Sequence, residues 1–454
     1  MRTNRDNKIA ILLFSILSFG ISTAHAYDFS FEYQGKTLYY DSIVGEMPLQ
    51  AKVTFFNNDH EGDNNYVSGN VVIPSSVTFN GNTYSITMIG IDAFTNCTDL
   101  TSITIPSSVT SIGSNAFSLC TNLTSIDFGT SVETIGSYAF AVCSSLTNIT
   151  LPSSLNSIGS NTFSGCCGLI SINLPNSLTS IDYYAFASCN NLTSIEVPTT
   201  IDALSDGVFY NCSSLANVIL PSTLSSIGRS TFENCSSLTN INIPTTISFI
   251  GNGAFAGCAN LNTSIVLENV SSLGERVFED CASLTTISLG ENLKQIDGTA
   301  LNGCTGIDTI YCYRQNPPLI MHSNDAFKGV SRSSVLSIPY NRSKVYQNAM
   351  VWKEFSNIIE RDSLSGIEDI VSNASSILIY PNPTHNEISL SLNSIDIPNS
   401  TISIYDLNGK ILLTTSPNPT STSTTIDLSS LPKGIYTITI DNNQTKQSQK
   451  IIKR

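Results

Sequence analysis

Apolar residues return to the same places every 23 positions along most of this chain. Phe94, Phe117, Phe140, Phe163, Phe186, Phe209, Phe232, Phe255 and Phe278 keep that step, and Leu301 takes the next place. Ten cysteines, from Cys97 to Cys304, keep it three residues later. The first complete period places Leu100, Ile103, Ile105, Val109, Ile112, Ala116, Phe117 and Cys120 among Ser, Thr and Asn. Ile103 and Ile105 alternate with Ser102 and Thr104, the two-residue period of a strand. Pro106 stops that strand, because it has no N–H to continue a ladder. Val109 and Ile112 predict a second short inward segment. Gly113 recurs as Gly136, Gly159, Gly228, Gly251 and Gly274, and gives way to Asp182, Ser205 and Asp297. Gly, Asp and Ser at one place predict a turn that draws on a positive φ. Ala116-Phe117 then begins a short helical or 3₁₀ turn that closes the coil. A fixed period of this length predicts a repeat solenoid, with parallel strands wound once per repeat. One coil has too few inward side chains to offset the entropy of ordering its backbone, so coils must stack and the ends must be covered.

Outside the regular stretch the pattern changes. Residues 27–88 are rich in aromatics, from Tyr27 to Tyr40 and at Val53-Thr54-Phe55-Phe56, and read as an N-terminal β cap. They include an aberrant first coil at Val71 to Pro74 and a hairpin at Asn80-Gly81-Asn82. The solenoid proper spans 89–304. Phe327 arrives 26 residues after Leu301, so 305–360 leave the register and form a C-terminal cap. Tyr346, Trp352, Phe355 and Ile358 suit a terminal helix or strand over the last coil. Ser264 with Ile265 marks a one-residue adjustment. A polar linker, 361–373, leads to 374–454, where strands are expected at Ile377 to Tyr380, Ile388 to Leu392, Thr401 to Tyr405, Ile411 to Thr414, Ile435 to Ile440 and Gln447 to Ile452. That pattern predicts a small antiparallel β-sandwich.

Charge and cysteine placement narrow the function. The formal charge is −14. Between Ile89 and Cys304 stand fifteen acidic residues against three basic ones, Arg229, Arg276 and Lys294. Such a surface repels phosphate backbones and anionic lipid, which excludes nucleic acid as a partner of the solenoid. Arg2, Arg5 and Lys8 precede the apolar run Ile9 to Leu17, which ends at Ala24-His25-Ala26. This reads as a signal peptide cleaved near Ala26, too short to anchor in a bilayer, so no membrane insertion is expected. The ten column cysteines share one phase and point the same way, which favours buried thiols acting as small hydrophobes over disulfides.

The polar strand positions form the candidate binding face: Ser102, Thr104, Ser125, Asp127, Asn148, Thr150, Ser171, Asn173, Ser194, Glu196, Asn217, Asn240, Asn242, Thr286 and Ser288. The face is mostly uncharged and nearly free of aromatics. It reads either as a ligand surface of hydroxyls and amides or as a solvated sheet that keeps the protein soluble. No catalytic constellation is expected. His60, His322 and His385 are widely separated, and Asp127 and Glu196 are three coils apart, roughly 14 Å by strand spacing. No metal or cofactor is expected: Asp59-His60-Glu61-Gly62-Asp63 lacks an EF-hand spacing and reads as a solvated loop. Asp41-Ser42-Ile43 and Asp362-Ser363-Leu364 resemble a bacterial O-glycosylation motif, and Ser363, in the linker, is the better candidate of the two.

The Ala-Phe-x-x-Cys-x-x-Leu signature, repeated over about residues 71–360, resembles the BspA-like class of leucine-rich repeats. The resemblance implies a non-enzymatic role in adhesion or recognition, with a host or bacterial surface protein or glycan as partner. The alternatives are a structural matrix protein without a specific ligand and, behind it, a polysaccharide-degrading β-helix enzyme. The last domain resembles a type A sorting domain of the type IX secretion system. The matching residues are Tyr380, Pro381, Asn382 and Pro383; Asp406 with Asn408, Gly409 and Lys410; Leu431; Gly434 and Tyr436; and Lys450 and Lys453. This resemblance implies engagement of the type IX secretion machinery, passage through the outer membrane, and a location that is secreted or on the outer cell surface. Together the two resemblances imply a Bacteroidetes source.

Overall fold

The computed structural model describes residues 27–43, 48–54, 67–361, 378–380, 387–391, 400–406, 410–416, 423–441 and 446–453. The signal segment, Phe55 and Phe56, the Asp59 to Asp63 loop, Ser363, His385, Pro381 to Pro383, and Asn408 and Gly409 lie outside these residues. Residues 67–361 wind into a parallel-strand solenoid, part of a stack of about 12 turns.

Each coil contributes two short strands. The longer ones, such as Leu100–Thr104, Ser125–Asp127 and Asn148–Thr150, build one side of the coil. Pairs such as Ser111–Ile112 and Thr134–Ile135 build the next. Register follows the repeat, with Ile103 opposite Ile126 and Ile112 opposite Ile135. The ladder of longer strands is interrupted after Asp127 and after Asn173, and again at the extra residue before Ser264, where Asn240–Ile241 closes one sheet and Ser264–Leu267 begins the next. Parallel pairing continues past 304 through Thr309–Cys312, Val335–Pro339 and Asn357–Arg361.

Inside the stack, like residues sit on like. The nine phenylalanine rings lie nearly parallel, with centroids 5.0–5.8 Å apart, and all are buried. The closing turns beneath the rings are themselves bonded coil to coil, Phe117 N–H to the Ala139 carbonyl at 2.7 Å, so the ring stack runs alongside a backbone ladder. From Cys120 onward each column thiol is also satisfied in the same way. Cys120 Sγ donates to the Phe94 carbonyl at 3.0 Å, and Cys212 Sγ to that of Phe186 at 3.1 Å, with the same bond repeated to Cys304. The acceptor belongs to the phenylalanine of the preceding coil. Burial pushes Cys120, Cys166, Cys212 and Cys304 up to about 12. At such values roughly one thiol in ten thousand is ionised at pH 8, and only the thiolate reacts. Native protein treated with maleimide is therefore expected to label quickly at half-buried Cys167 alone, with the column thiols labelling only on unfolding, as peptide mass mapping would read out.

The closing turn differs from the expected helical one. Ala116, Ser118 and Cys120 donate to carbonyls three residues back, but Asn115, Phe117 and Leu119 donate to Ser137, Ala139 and Ala141 of the next coil. Turning alternate N–H groups outward to the neighbour requires left-handed backbone. Two columns adopt it, one through Asn115 (φ 54°), Tyr138 (59°) and Asn161 (56°), the other through Leu119 (62°), Val142 (62°) and Asn211 (59°). The Gly113 column is not left-handed, contrary to expectation. Its glycines give close approach instead: a Cβ on Gly136 would stand 2.7 Å from the Ser114 nitrogen in the preceding coil. Where a side chain stands there, it bonds across coils, as Asp182 does with the Ser160 hydroxyl at 2.8 Å.

Val142 is the least suited residue at its left-handed place, because a β-branched side chain crowds the backbone there. Asn fills the equivalent place at Asn96, Asn211 and Asn234. Val142→Asn is expected to raise stability by up to about 1 kcal/mol in urea unfolding.

Both ends are covered. At the N-terminal end Phe29–Tyr33, Lys36–Ile43 and Gln50–Thr54 lead into Asn82–Ile89, which pairs with the first coil. Ser76–Phe79 and Asn82–Ile89 form the expected hairpin, with Asn80 and Gly81 at φ 50° and 79°. At the other end helix Ser343–Asn348 brings Tyr346 against Trp352, which also packs edge-on to Phe327 at 5.0 Å and donates to the Pro318 carbonyl at 3.0 Å.

The C-terminal region forms two antiparallel sheets. One joins Leu378–Tyr380, Glu387–Ser391 and Ser423–Asp427; the other runs Ile411–Thr415, Thr401–Tyr405, Gly434–Asp441 and Lys446–Lys453. Ile388, Leu390, Ile402, Ile404, Ile426, Ile438 and Ile451 make their shared core. Ser423–Asp427 was not legible in a Ser/Thr run; Ile426 supplies its one large inward side chain.

Candidate functional site

The strand face has two outward columns, because each short strand turns alternate residues away from the core. In the first, Ser102 stands opposite Ser125, Asn148 opposite Ser171, and Ser194 opposite Asn217, which faces Asn240. In the second, Thr104 stands opposite Asp127 and Thr150 opposite Asn173. Ser125, Asp127, Asn148, Thr150, Ser171, Asn173, Glu196 and Asn242 are exposed. Ser102, Thr104, Ser194, Asn217, Asn240 and Thr286 are half-buried.

Ser288 departs from the expected face. It is 1% exposed, and its hydroxyl has no partner among the described residues. In register it lies between Val266 and Tyr311, whose larger side chains shade a serine. Beyond it the face is no longer a row of small polar groups. The Arg361 guanidinium lies over the rings of Tyr311 and Tyr313, at 5.2 and 4.1 Å, and donates to the Ser337 and Cys312 carbonyls.

Many hydroxyls on and beside the face are already committed. Thr101 and Ser102 both donate to the Asn70 side-chain oxygen, and Ser171 donates to that of Asn148 at 3.1 Å. Thr124, Thr193 and Thr239 donate to carbonyls one coil back, at Thr101, Ile170 and Ala216. With these protons directed along the stack, the oxygens still offer lone pairs outward. Asp127 accepts from the Gly129 N–H at 3.1 Å. The structure does not bring Asp127 and Glu196 together. Among the described residues no group of three or more His, Cys, Asp and Glu side chains is placed to hold a metal ion.

In the C-terminal region Tyr380 ends its strand, and Asp406 and Lys410 close a turn in which each bonds the other's backbone. Gly434 opens the strand that pairs with Lys446–Lys453, Gly434 facing Lys453 and Thr437 facing Lys450. The Tyr436 hydroxyl donates to the Pro432 carbonyl. Lys453, only 7% exposed, donates to the carbonyls of Leu428, Ser429 and Leu431 at 2.6, 3.2 and 2.6 Å. Nothing in its sequence position marks this ammonium as buried. A second feature the sequence reading passed over is a group of tyrosines on the closing turns, Tyr183, Tyr184 and Tyr210. Its signal is three aromatic residues where neighbouring coils carry Ser, Asn and Ala.

The fold defines a leucine-rich-repeat solenoid joined to a β-sheet tail. Family comparison is specific for both parts. The BspA type leucine rich repeat region matches at 73–192, 179–308 and 260–377. The chain belongs to that family, and its tail, 378–454, matches the secretion system C-terminal sorting domain. Solved structures similar to the chain include a leucine-rich repeat protein of T. pallidum, 28% identical over 49% of this chain and 87% of that one, with a TM-score of 0.38. Another comes from Bacteroides ovatus, at 24% identity, 74% and 100% coverage and a TM-score of 0.44. The pneumococcal vaccine antigen PcpA is 19% identical, with 74% and 100% coverage and a TM-score of 0.40. No curated protein shows significant sequence similarity to the chain. The protein is thus a leucine-rich-repeat surface protein exported through a type IX sorting tail. Among the described residues no helix is long and apolar enough to cross a membrane.

Proposed function

We propose that the solenoid is a non-enzymatic recognition element that binds a host or bacterial surface protein or glycan through its strand face. The observation that carries this reading is the exposed, nearly uncharged run from Ser125 through Asn148, Thr150 and Ser171 to Asn173 on the strand face. In this reading 1–26 are removed, 27–88 and 305–360 cover the ends of a recognition stack over 89–304, and 361–373 tether the tail, 374–454. The tail addresses the chain to the secretion machinery and the solenoid engages the partner. Mass spectrometry of the exported protein should find Tyr27 at its N-terminus.

The direct test is an array of surface glycans and extracellular-matrix proteins probed with the exported chain. Saturable binding is expected, and it should be lost when Ser171, Asn173 and Ser194 are each changed to Lys. These positions are exposed or half-buried, so the thermal transition should stay within a degree or two of the parent. Flat responses across the array would instead assign the solenoid a matrix role without a specific ligand.

A further inference from the structure

The closing turns of the solenoid before Tyr183 carry mostly small side chains on their outer edge, with a lone tyrosine at Tyr138. One column reads Ser114, Ser137 and Ser160; the next reads Asn115, Tyr138 and Asn161; a third includes Ala141 and Ala187. Only in two successive coils do all three columns carry tyrosine together, at Tyr183, Tyr184 and Tyr210. The fold does not require the change, since coils with Ser, Asn and Ala close with the same bonds: Asn161 N–H reaches the Tyr183 carbonyl at 2.8 Å and Tyr184 N–H that of Asp206 at 3.0 Å.

The rings are built in. The Tyr184 ring covers the bare backbone of Gly207 one coil on, where a Cβ would overlap ring atoms. Gly207 occupies the place that Tyr184 and Asn161 hold in their own coils. Tyr210 meets Tyr184 edge-on, with centroids 6.0 Å apart and planes at 78°. Tyr183 remains 53% exposed and Tyr184 37%. Carboxylates flank the rings. Burial first, then the charges of Asp206, the Tyr210 phenol and Glu233, raise the Tyr184 phenol above its ordinary value. Asp206 has one oxygen on the Arg229 N–H at 2.7 Å, and Glu233 meets the Arg276 guanidinium at 3.1 Å.

We propose that this edge is a binding site for an uncharged saccharide, separate from the strand face and not dependent on it. Tyr183 and Tyr184 offer apolar ring faces to the C–H face of a sugar, and the phenol hydroxyls, Asp206 and Glu233 exchange hydrogen bonds with its hydroxyls. The surrounding charge selects the class. With fifteen acidic residues against three basic ones between Ile89 and Cys304, sialylated and sulfated chains are repelled and neutral ones are not.

The repeat supplies substitutions that the fold already tolerates. Tyr183→Ser, Tyr184→Asn and Tyr210→Ala install the residues of Ser160, Asn161 and Ala187 from neighbouring coils. The full chain is titrated with mannohexaose, maltohexaose, cellohexaose and chitohexaose, with sialyllactose and heparin hexasaccharide as charged probes. Calorimetry and saturation-transfer NMR read the binding. At least one neutral hexasaccharide should bind saturably, at least tenfold more weakly to the triple variant, and unchanged to the strand-face variant with Lys at 171, 173 and 194. Should the triple variant lose its thermal transition, Tyr183→Ser alone decides, and it too should weaken binding. The proposal fails if no neutral probe binds, if the charged probes bind instead, if the tyrosine variants keep full affinity, or if the strand-face variant loses the saccharide. The last result would move glycan recognition to the strands.

Discussion

Raising the pH from 8 to 10 under reducing conditions is expected to unfold the solenoid reversibly. Burial holds the column thiols in their neutral form, at about 12 for Cys120, Cys166, Cys212 and Cys304 and about 11 for Cys97. Cys143, Cys189, Cys235, Cys258 and Cys281 lie well above the ordinary range for the same reason. In the unfolded chain these thiols ionise near 8.5. A folded-state value raised above the unfolded one leaves stability intact below the unfolded value and removes it as pH climbs toward the folded value, so the window is roughly pH 8.5 to 12. At pH 10 each of the five thiols at about 11 to 12 forfeits about 2 kcal/mol, roughly 10 kcal/mol together, and the other five act in the same direction, against the about 5–15 kcal/mol that holds an ordinary domain together. Circular dichroism against pH reads the transition, and refolding at pH 7 excludes chemical damage. Cys189→Ala with Cys212→Ala should shift the midpoint upward. A stack still folded at pH 11 would mean that the thiols sit in contact with water.

Phe209→Ala is expected to cost about 3–5 kcal/mol and to split the unfolding of the solenoid. The Phe209 ring is fully buried between Phe186 and Phe232, at 5.8 and 5.5 Å. The coils on either side cannot collapse into the gap while their ladders hold them apart. Each coil touches only its neighbours, so a weak layer in mid-stack uncouples the halves. Trp352, the single tryptophan, reports only the C-terminal end, whereas circular dichroism reports every coil. In the parent the two probes should move together in urea; in the variant they should separate. Coincident transitions and a loss below about 1 kcal/mol would show that the phenylalanine column does not couple the coils.

The sequence by itself determined the period, the inward columns, the strand phase and the two-part build. A repeat of 23 residues states its own register, and Ile103 between Ser102 and Thr104 tells inside from outside without reference to any distant group. The sorting tail was legible for the same reason, in a short local pattern. Trp352 in the end cover and the Asn80-Gly81 turn also followed from nearby residues. What only the tertiary structure decided depends on how closely one coil approaches the next. Gly113 and its equivalents are small because the preceding backbone touches them, not because of their φ. The left-handed columns exist because alternate N–H groups must reach a neighbouring coil. Ser288 carries the same sequence mark as the exposed Asn173, yet lies buried between Val266 and Tyr311. Tyr184 and Gly207 meet only after one coil is laid on another. A pattern along the chain fixes direction within a coil; contact between coils is set by side-chain size and reach across a few ångströms, which no single repeat contains.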